Sequence, residues 1–204
     1  MNKFKKLVIA TKNQSKVDYY KEILNELVGE VVSLNDFDIT DRPNEIGQTA
    51  EENAEIKAKF YAGKIGLQVF SEDEALYVDF LPKTKQPGTH VRRINGKDEL
   101  DDEQLLNHWE SIISRVPLKK RTGRWHIAYC IFMPNGKTKM ASLDHPIMFY
   151  SPPSKIRLPG WPLSSLQGSI LFKKPHSEQT KEEREISKTR TTDEIKKILS
   201  YFLL

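Results

Sequence analysis

The 204-residue sequence contains little of what several classes of protein require. It has one cysteine, Cys130, inside an apolar run, so a disulfide scaffold is excluded and a buried, unreactive thiol is the expected state. No stretch approaches the ~18 apolar residues of a membrane span, and the apolar run at residues 7–10 is too short for a signal peptide. We therefore expect a cytoplasmic protein without a membrane partner.

Motifs of covalent catalysis and of glycine-rich nucleotide binding are also missing. The five histidines show no close metal-ligand spacing, and the chain has neither a Gly-x-Ser-x-Gly motif nor a Cys-His arrangement. The polar turn at residues 11–16 has no glycine, so it matches neither the Walker P-loop nor the dinucleotide fingerprint. Hydrolysis by a metal-activated water is the chemistry that remains.

The charge of the chain is mildly basic, with a formal net charge of +4. This charge suits a polyanionic partner but does not distinguish nucleic acid from a small phosphorylated ligand. The one tight basic run, at residues 119–121, is typical of a solvated loop, and aromatic stacking motifs are absent. Nucleic-acid binding is therefore the least favoured hypothesis, and it predicts a steep salt dependence of oligonucleotide affinity.

The spacing of apolar residues predicts an α/β fold with a mixed sheet. A strand at residues 6–10, a helix and a strand at 31–34 form an opening β-α-β unit, and a further helix covers residues 101–114. The second half is predicted to be mostly antiparallel, with a strand at 124–133, a Pro-Asn-Gly turn and partner strands at 137–142 and 146–150. A long loop over 151–174 contains a short strand near 170–172, and a last helix starts at Thr191 or Thr192.

Residues 45–80 carry the densest supply of acidic groups. Thr49 and Glu52 form a capping-box signature that starts a helix at Ala50, and Gly66 is placed to end it. A buried strand at residues 67–70 and an alternating strand at 76–80 flank residues 71–74, which we place in or beside a turn region between two sheet segments. The carboxylates here suit Mg²⁺ that bridges phosphates, and an exposed acidic surface is the alternative interpretation.

The turn at residues 11–16 is a second candidate site. It places the free N–H groups of a helix N-terminus at the end of a strand, which favours an anion, and Lys12 and Lys16 add positive charge. Asn13 is suited either to capping the helix or to contacting a ligand. On spacing alone, a plain capped helix is the favoured interpretation.

Together these motifs resemble the inosine triphosphate pyrophosphatase family, whose members hydrolyse non-standard purine nucleoside triphosphates to monophosphate and pyrophosphate. Residues 11–16 resemble its Thr/Ser-x-Asn-x-x-Lys turn, and residues 45–58 resemble its Glu-x-Gly-x-Thr, Glu-Asn and Lys-Ala pattern. Residues 71–73 stand where the family has Ala-Asp-Asp, and Pro87-Gly88 followed by Arg93 resembles its Pro-Gly-x-x-Ser-x-Arg loop. The resemblance is strongest over the first half of the chain.

The resemblance implies one domain over residues 1–204, with a mixed twisted sheet, flanking helices and two lobes around a central cleft. The lobes would cover residues 1–80 with 191–204, and residues 81–175. It also implies a nucleoside triphosphate pyrophosphatase that requires Mg²⁺, with Mn²⁺ as an alternative, and that acts as a homodimer. The implied site residues are Asp73 as ligand or base for the attacking water, Glu45, Glu72 and Asp73 as metal ligands, and Thr11, Asn13, Lys16, Lys57, Arg93, Trp161 and Arg190 as substrate contacts.

The chain departs from the family pattern at several positions. Glu72 replaces the first Asp of the acidic pair, and Glu74-Ala75 replaces Ser-Gly, so a turn built for glycine would carry a side chain. The C-terminal aromatic-Asp-Pro motif of the family has no matching Asp in this chain. Its place is taken either by residues 161–163 or by residues 168–170. In the first case Trp161 either stacks on the base of the substrate or only packs in its loop. The alternative function is therefore a nucleotide-binding relative with impaired catalysis and altered base specificity.

Overall fold

The structure is a computed structural model that describes residues 5–92 and 100–203, without the side chains at positions 190, 191, 194, 198, 199 and 201–203. Its strands are β1 (Leu7–Ile9), β2 (Val31–Ser33), β3 (Val69–Val78), β4 (Thr122–Phe132), β5 (Thr138–Phe149) and β6 (Gln167–Gly168). Its α-helices are α1 (Gln14–Leu24), α2 (Ala50–Ile65), α3 (Asp102–Ile113) and α4 (Lys181–Leu203). The strands form one six-stranded sheet in the order β2-β1-β3-β4-β5-β6.

The sheet is mixed, as the sequence predicts. β1 pairs in parallel with both β2 and β3, whereas β5 and β6 are antiparallel. The β1-α1-β2 unit is present because α1 buries Val17, Tyr20, Ile23 and Leu24, the apolar side that the helical spacing indicates. The prediction of an α/β fold with flanking helices is therefore confirmed.

The chain divides into two compact units, each with its own core. The first comprises Met1–Asp73, Ile127–Leu143 and Arg190–Leu204, and the second comprises Glu74–His126 and Asp144–Thr189. In the first core, Tyr20 meets Phe70 edge-on at 5.1 Å and Phe70 stacks on Tyr129 at 6.0 Å. In the second, Trp109 of α3 stacks on Phe149 at 6.0 Å. Burying each of these side chains contributes roughly 1.5–3 kcal/mol.

The placement of residues 71–74 in or beside a turn is wrong. They lie within the continuous strand β3, which pairs with β1 at Val69 and Phe70 and bridges to Gly88 at Leu76. The polar run stays extended because its neighbours supply partners for it. One of these is the carbonyl of Ala54, which accepts a hydrogen bond from the buried Ser71 hydroxyl.

Three predictions in the second half also need correction. α4 starts at Lys181 rather than near residue 191, because Thr180 and Glu183 form a reciprocal capping box of 3.3 and 2.7 Å. Residues 138–149 form one strand instead of two, and the short strand lies at Gln167–Gly168 rather than near 170–172. β6 forms there because its backbone pairs with Met148 and Phe149 of β5.

The prediction for Cys130 is confirmed. The residue is fully buried and unpaired, and burial raises the pKa of its thiol to about 12. Such a thiol is protonated at neutral pH and unreactive. Over the part of the chain that the structure describes, no helix combines the length and apolar character needed to cross a membrane.

Candidate functional site

The turn at residues 11–16 is an N-cap built by Asn13. Its side-chain oxygen accepts hydrogen bonds from the backbone N–H groups of Ser15 at 3.0 Å and Lys16 at 3.5 Å. The backbone N–H of Asn13 in turn donates to the hydroxyl of Thr11 at 3.2 Å. Of the two roles open to Asn13, the structure therefore shows capping, which orients the start of α1 and leaves Thr11 and Asn13 in the wall of a pocket.

The start of α2 is fixed by its predicted cap. The Thr49 hydroxyl accepts from the N–H of Glu52 at 3.2 Å, and the Glu52 carboxylate accepts from the N–H of Gln48 at 2.6 Å. In a standard capping box the second bond would go to Thr49 itself, one residue later. At the other end Gly66 closes the helix with a φ of 73°, a conformation that favours glycine.

The loop that carries Glu45 is held against α2 by one buried side chain. Asn53 is only 3% exposed, and its side-chain oxygen accepts from the N–H of Gly47 at 2.8 Å. A Cβ at Gly47 would lie 2.6 Å from that oxygen, so the close approach requires glycine. The position of Glu45, two residues earlier, follows from this contact.

Two lysines meet the acidic residues of β3. Lys16 at the start of α1 contacts the Glu72 carboxylate at 2.8 Å, with side chains that are 18% and 7% exposed. Lys57 of α2 contacts the Asp73 carboxylate at 3.2 Å, the Glu45 carboxylate at 3.5 Å and the Glu72 carbonyl at 3.1 Å. The structure thus brings these five predicted site residues together through two ammonium groups.

Burial dominates the ionisation of Asp73. Desolvation raises the pKa of its carboxyl group from 3.8 to about 6, although the Lys57 ammonium favours the charged form. The carboxylates of Glu72 and Glu45 add repulsion and raise it further. Asp73 is therefore mostly ionised at neutral pH but takes up a proton readily, as a general base must.

Lys57 stays charged although it is largely enclosed. Burial alone would lower the pKa of its ammonium group, but the nearby carboxylates of Asp73, Glu45 and Glu72 outweigh burial and raise it. A cation held this way can interact with an anionic ligand without first gaining a proton. Lys57 and Glu45 are the members of the cluster that also line the adjacent pocket.

This pocket has a volume of about 270 Å³ and lies wholly in the first unit. Its wall combines cations, the N-cap turn of α1 and apolar surface. It is formed by Ala10, Thr11, Lys12, Asn13, Leu34, Arg42, Pro43, Glu45, Lys57 and Tyr61. A wall with three cationic side chains and one carboxylate suits a ligand that carries negative charge.

Arg42 and Tyr61 are the polar members of this wall that were not predicted from the sequence as site residues. Tyr61 lies four residues after Lys57 and so on the same side of α2, which is a signal that the sequence contains. Arg42 lies in an irregular loop where no spacing rule applies. Its place in the pocket wall depends on the path of that loop.

The predicted metal ligands differ in their surroundings. Glu45 and Asp73 converge on one cationic group, whereas the Glu72 carboxylate contacts Lys16. Within residues 5–92 and 100–203, no group of three or more His, Cys, Asp or Glu side chains forms a metal-binding cluster. The carboxylates of Glu45 and Asp73, which both contact the Lys57 ammonium group, still suit Mg²⁺ as ligands. This ion is commonly held by one or two carboxylates and completes its coordination shell with water and phosphate.

Three predicted substrate contacts are not members of this cluster or pocket as the structure describes them. Trp161 belongs to the second unit, where it is half-buried and precedes the short 3₁₀ helix Pro162–Ser165. Arg93 lies outside the described residues, and Arg190 lies on α4 with a side chain that is not described. The roles of these three residues stay predictions.

The suspected strain at Ala75 is absent. Ala75 is fully buried within β3, and the one described non-glycine residue with positive φ is Lys173. The interpretation of this position as a turn that needs glycine is therefore wrong for this chain, because a strand accepts alanine without strain. The half-buried Glu74 is likewise an ordinary strand residue.

Comparison with known sequences shows similarity over the first two thirds of the chain. Residues 7–143 match the model of the Ham1 family. The dITP/XTP pyrophosphatase of Bacillus cereus is 32% identical over 139 residues, which cover 68% of this chain and 66% of that protein. The dITP/XTP pyrophosphatase of Exiguobacterium sibiricum is 35% identical over 133 residues, covering 65% and 66%. The chain thus aligns with about 66% of the length of these relatives.

Similarity to solved structures extends further along the chain. A HAM1 protein from Coxiella burnetii matches with a TM-score of 0.75 at 19% identity, covering 96% of this chain and 98% of that one. A nucleoside-triphosphatase / dITP/XTP pyrophosphatase from Mycobacterium abscessus matches with a TM-score of 0.69 at 23% identity, covering 91% and 94%. At these identities the matches show a shared fold, which confirms the predicted fold type.

Proposed function

Because the chain belongs to the Ham1 family, we propose that it hydrolyses nucleoside triphosphates, with non-standard purine nucleotides as substrates, to nucleoside monophosphate and pyrophosphate. The observation that carries this proposal is the Glu45-Lys57-Asp73 cluster, with contacts of 3.5 and 3.2 Å, beside a cationic pocket. The names of the curated relatives support the same activity. Such a cluster provides a base, a cation for phosphate and oxygen donors for a metal ion.

Asp73 is the proposed base. A water molecule would attack the α-phosphorus, its proton would pass to the Asp73 carboxylate, and the bond from the α-phosphorus to the bridging oxygen would break. The pyrophosphate then leaves with the electron pair of that bond. A carboxyl group whose pKa is about 6 suits this role near neutral pH, because it is ionised yet still basic enough to accept the proton.

The lysines and the α1 turn are the proposed phosphate contacts. Lys57 lines the pocket, and the turn of Thr11 and Asn13 forms another part of its wall. Lys16 contacts Glu72, so a phosphate oxygen would compete with that carboxylate for the ammonium group. Cations at these positions would offset the charge that develops on the leaving pyrophosphate.

The proposal includes Mg²⁺, or Mn²⁺ in its place, held by Glu45 and Asp73. Glu72 could join them through the carboxylate oxygen that does not contact Lys16, since the contact of 2.8 Å uses only one of its two oxygens. The bound ion would supply positive charge to the phosphate oxygens. Asp73 would serve as ligand, as base, or as both, and the pH dependence of activity bears on this choice.

A homodimer and a cytoplasmic location also belong to the proposal; the homodimer derives from the family resemblance and the location from the composition of the sequence. Light scattering on the purified chain measures its oligomeric state, and a mass of one chain would contradict the dimer. Fractionation of cells that express the protein tests its location. Neither property is needed for the chemistry of the cluster.

The decisive experiment is an assay of pyrophosphate release from dITP, XTP, ITP and the common nucleoside triphosphates with Mg²⁺. We expect turnover by the wild type, none by Asp73→Asn and weakened turnover by Lys16→Ala. Asp38→Asn is the matched control, since Asp38 is an exposed acid of the same unit that lies outside the cluster. Full activity of Asp73→Asn would refute the proposal.

The alternative function, nucleotide binding without hydrolysis, has one observation in its favour. The Lys16–Glu72 ion pair engages a lysine that the resemblance assigns to phosphate. If calorimetry detects triphosphate binding while none of the nucleotides is cleaved with Mg²⁺ or Mn²⁺, this alternative replaces hydrolysis.

A further inference from the structure

The hydroxyl group of Tyr61 lines the pocket without a hydrogen-bond partner. The side chain is only 6% exposed, and its ring packs edge-on against Phe60 at 5.1 Å. No residue in the described ranges 5–92 and 100–203 forms a hydrogen bond with its hydroxyl. Because the hydroxyl opens into the pocket rather than into the core, a ligand bound there can supply its hydrogen-bond partner.

The charged groups around this hydroxyl favour an anionic partner. Burial raises the pKa of Tyr61, Arg42 and Lys57 act to lower it, and Glu45 acts to raise it. The hydroxyl is therefore protonated at neutral pH and able to donate a hydrogen bond. It lies within the field of two cations and one carboxylate, all of which line the same pocket.

Arg42 is the second group in the pocket wall without a partner. It is exposed, and within the described parts of the chain it forms neither an ion pair nor a hydrogen bond. A guanidinium group presents several N–H donors in one plane, which matches two oxygens of a phosphate group. Arg42 and Tyr61 both line this pocket.

We propose that Tyr61 and Arg42 form a specificity contact that binds the two outer phosphates of a nucleoside triphosphate, which are the pyrophosphate portion that leaves. This inference rests on the proposed function. Asp73 does not line the pocket, but Lys57 both contacts Asp73 and lines the pocket. If the reacting phosphorus lies at Asp73, the pocket next to Lys57 is within reach of the neighbouring part of the substrate. The cations in the wall of this pocket favour the two charged phosphates that leave over the uncharged base.

A structural role for the Tyr61 hydroxyl makes a different prediction. Tyr61→Phe removes one oxygen atom that forms no hydrogen bond within the described chain, so the melting temperature should be unchanged or higher. Loss of ligand affinity without loss of stability would thus identify a ligand contact. Tyr77→Phe is the matched control, because the half-buried Tyr77 belongs to the second unit and packs under Arg124 at 4.8 Å.

Calorimetry with inorganic pyrophosphate and Mg²⁺ tests the proposal without turnover. We expect about tenfold weaker binding for Tyr61→Phe and for Arg42→Gln, partial recovery in Arg42→Lys, and no change in Tyr77→Phe. Binding of a nucleoside monophosphate should change by less than twofold, since it lacks the outer phosphates. Wild-type pyrophosphate affinity in Tyr61→Phe, or equal losses for both ligands, would overturn the inference.

The two proposals can fail separately. A wild type that cleaves no triphosphate but binds pyrophosphate in a Tyr61-dependent manner refutes the hydrolytic function and retains the anion contact. A wild type that cleaves triphosphates, with unchanged pyrophosphate affinity in Tyr61→Phe, refutes the contact and retains the function.

Discussion

Replacing Asp73 by Asn is expected to abolish hydrolysis and to stabilise the fold. Burial raises the pKa of this carboxyl group from 3.8 to about 6, against the attraction of Lys57. A carboxyl group whose pKa is higher in the folded state makes folding less favourable once it ionises. The amide of Asn keeps the shape of the side chain but carries no charge, so the unfavourable term disappears.

The size and sign of this effect follow from the two pKa values. Between pH 3.8 and about 6 the folded chain binds this proton more tightly than the unfolded chain does. The stability contributed by the protonated carboxyl is complete below pH 3.8 and is lost as the pH rises through about 6. At about 1.4 kcal/mol for each pH unit, the loss is about 3 kcal/mol. Asp73→Asn should therefore equal the wild type near pH 4 and exceed it near pH 8.

Urea unfolding in the presence of a chelator, at several pH values across this range, measures the difference. Asp36→Asn is a control of opposite sign in the same unit, because the Ser33 N–H donates to Asp36 at 2.7 Å and lowers its pKa. That variant should be less stable than the wild type at neutral pH, and its deficit should vanish as the pH falls through the lowered pKa. Equal or reduced stability of Asp73→Asn near pH 8 would refute the reasoning, because attraction by Lys57 would then outweigh burial.

Three further outcomes are expected. The kcat/KM value should fall about tenfold per pH unit below about pH 6, since Asp73 must be ionised, and a flat pH–rate profile there would contradict its role. Lys16→Ala should lower stability by about 3 kcal/mol in thermal or urea unfolding, because it leaves the Glu72 carboxylate buried without its cation. Gly47→Ala should destabilise the chain by about 1–3 kcal/mol and reduce activity, because the added Cβ would lie 2.6 Å from the side-chain oxygen of Asn53. The control is Gly63→Ala, where the added Cβ meets nothing within 4 Å and should stabilise the helix slightly.

The parts of the site that were predictable from sequence are those set by local chemistry. The start of α2 at Ala50 and its end at Gly66 follow from hydrogen bonds between residues a few positions apart. The cap at Thr180 and Glu183 carries the same kind of local signal, so the error at the start of α4 came from overlooking it and not from missing information. Burial of one side of α1 likewise follows from helical spacing.

The parts that were not predictable depend on partners far along the chain. A run of Ser, Glu, Asp and Glu resembles a turn, because nothing nearby neutralises its charge. In the structure Glu72 meets Lys16, 56 residues away, and Asp73 meets Lys57, 16 residues away, so the strand continues through the acidic run. Arg42 lies in the pocket wall because of the course of an irregular loop, which periodicity in the sequence does not predict.

The charge of the cluster has a consequence for the order in which its ligands bind. Glu45, Glu72 and Asp73 face the ammonium groups of Lys16 and Lys57, which leaves one negative charge in excess. A divalent cation is attracted to this excess, and the carboxylates oppose the attraction of Lys12 and Arg42 in the pocket wall for a polyphosphate until a cation offsets them. Pyrophosphate should therefore bind at least tenfold more weakly with a chelator than with Mg²⁺ in the wild type. The same comparison in Asp73→Asn should show a smaller ratio, and equal ratios would mean that this carboxylate has no part in holding the ion.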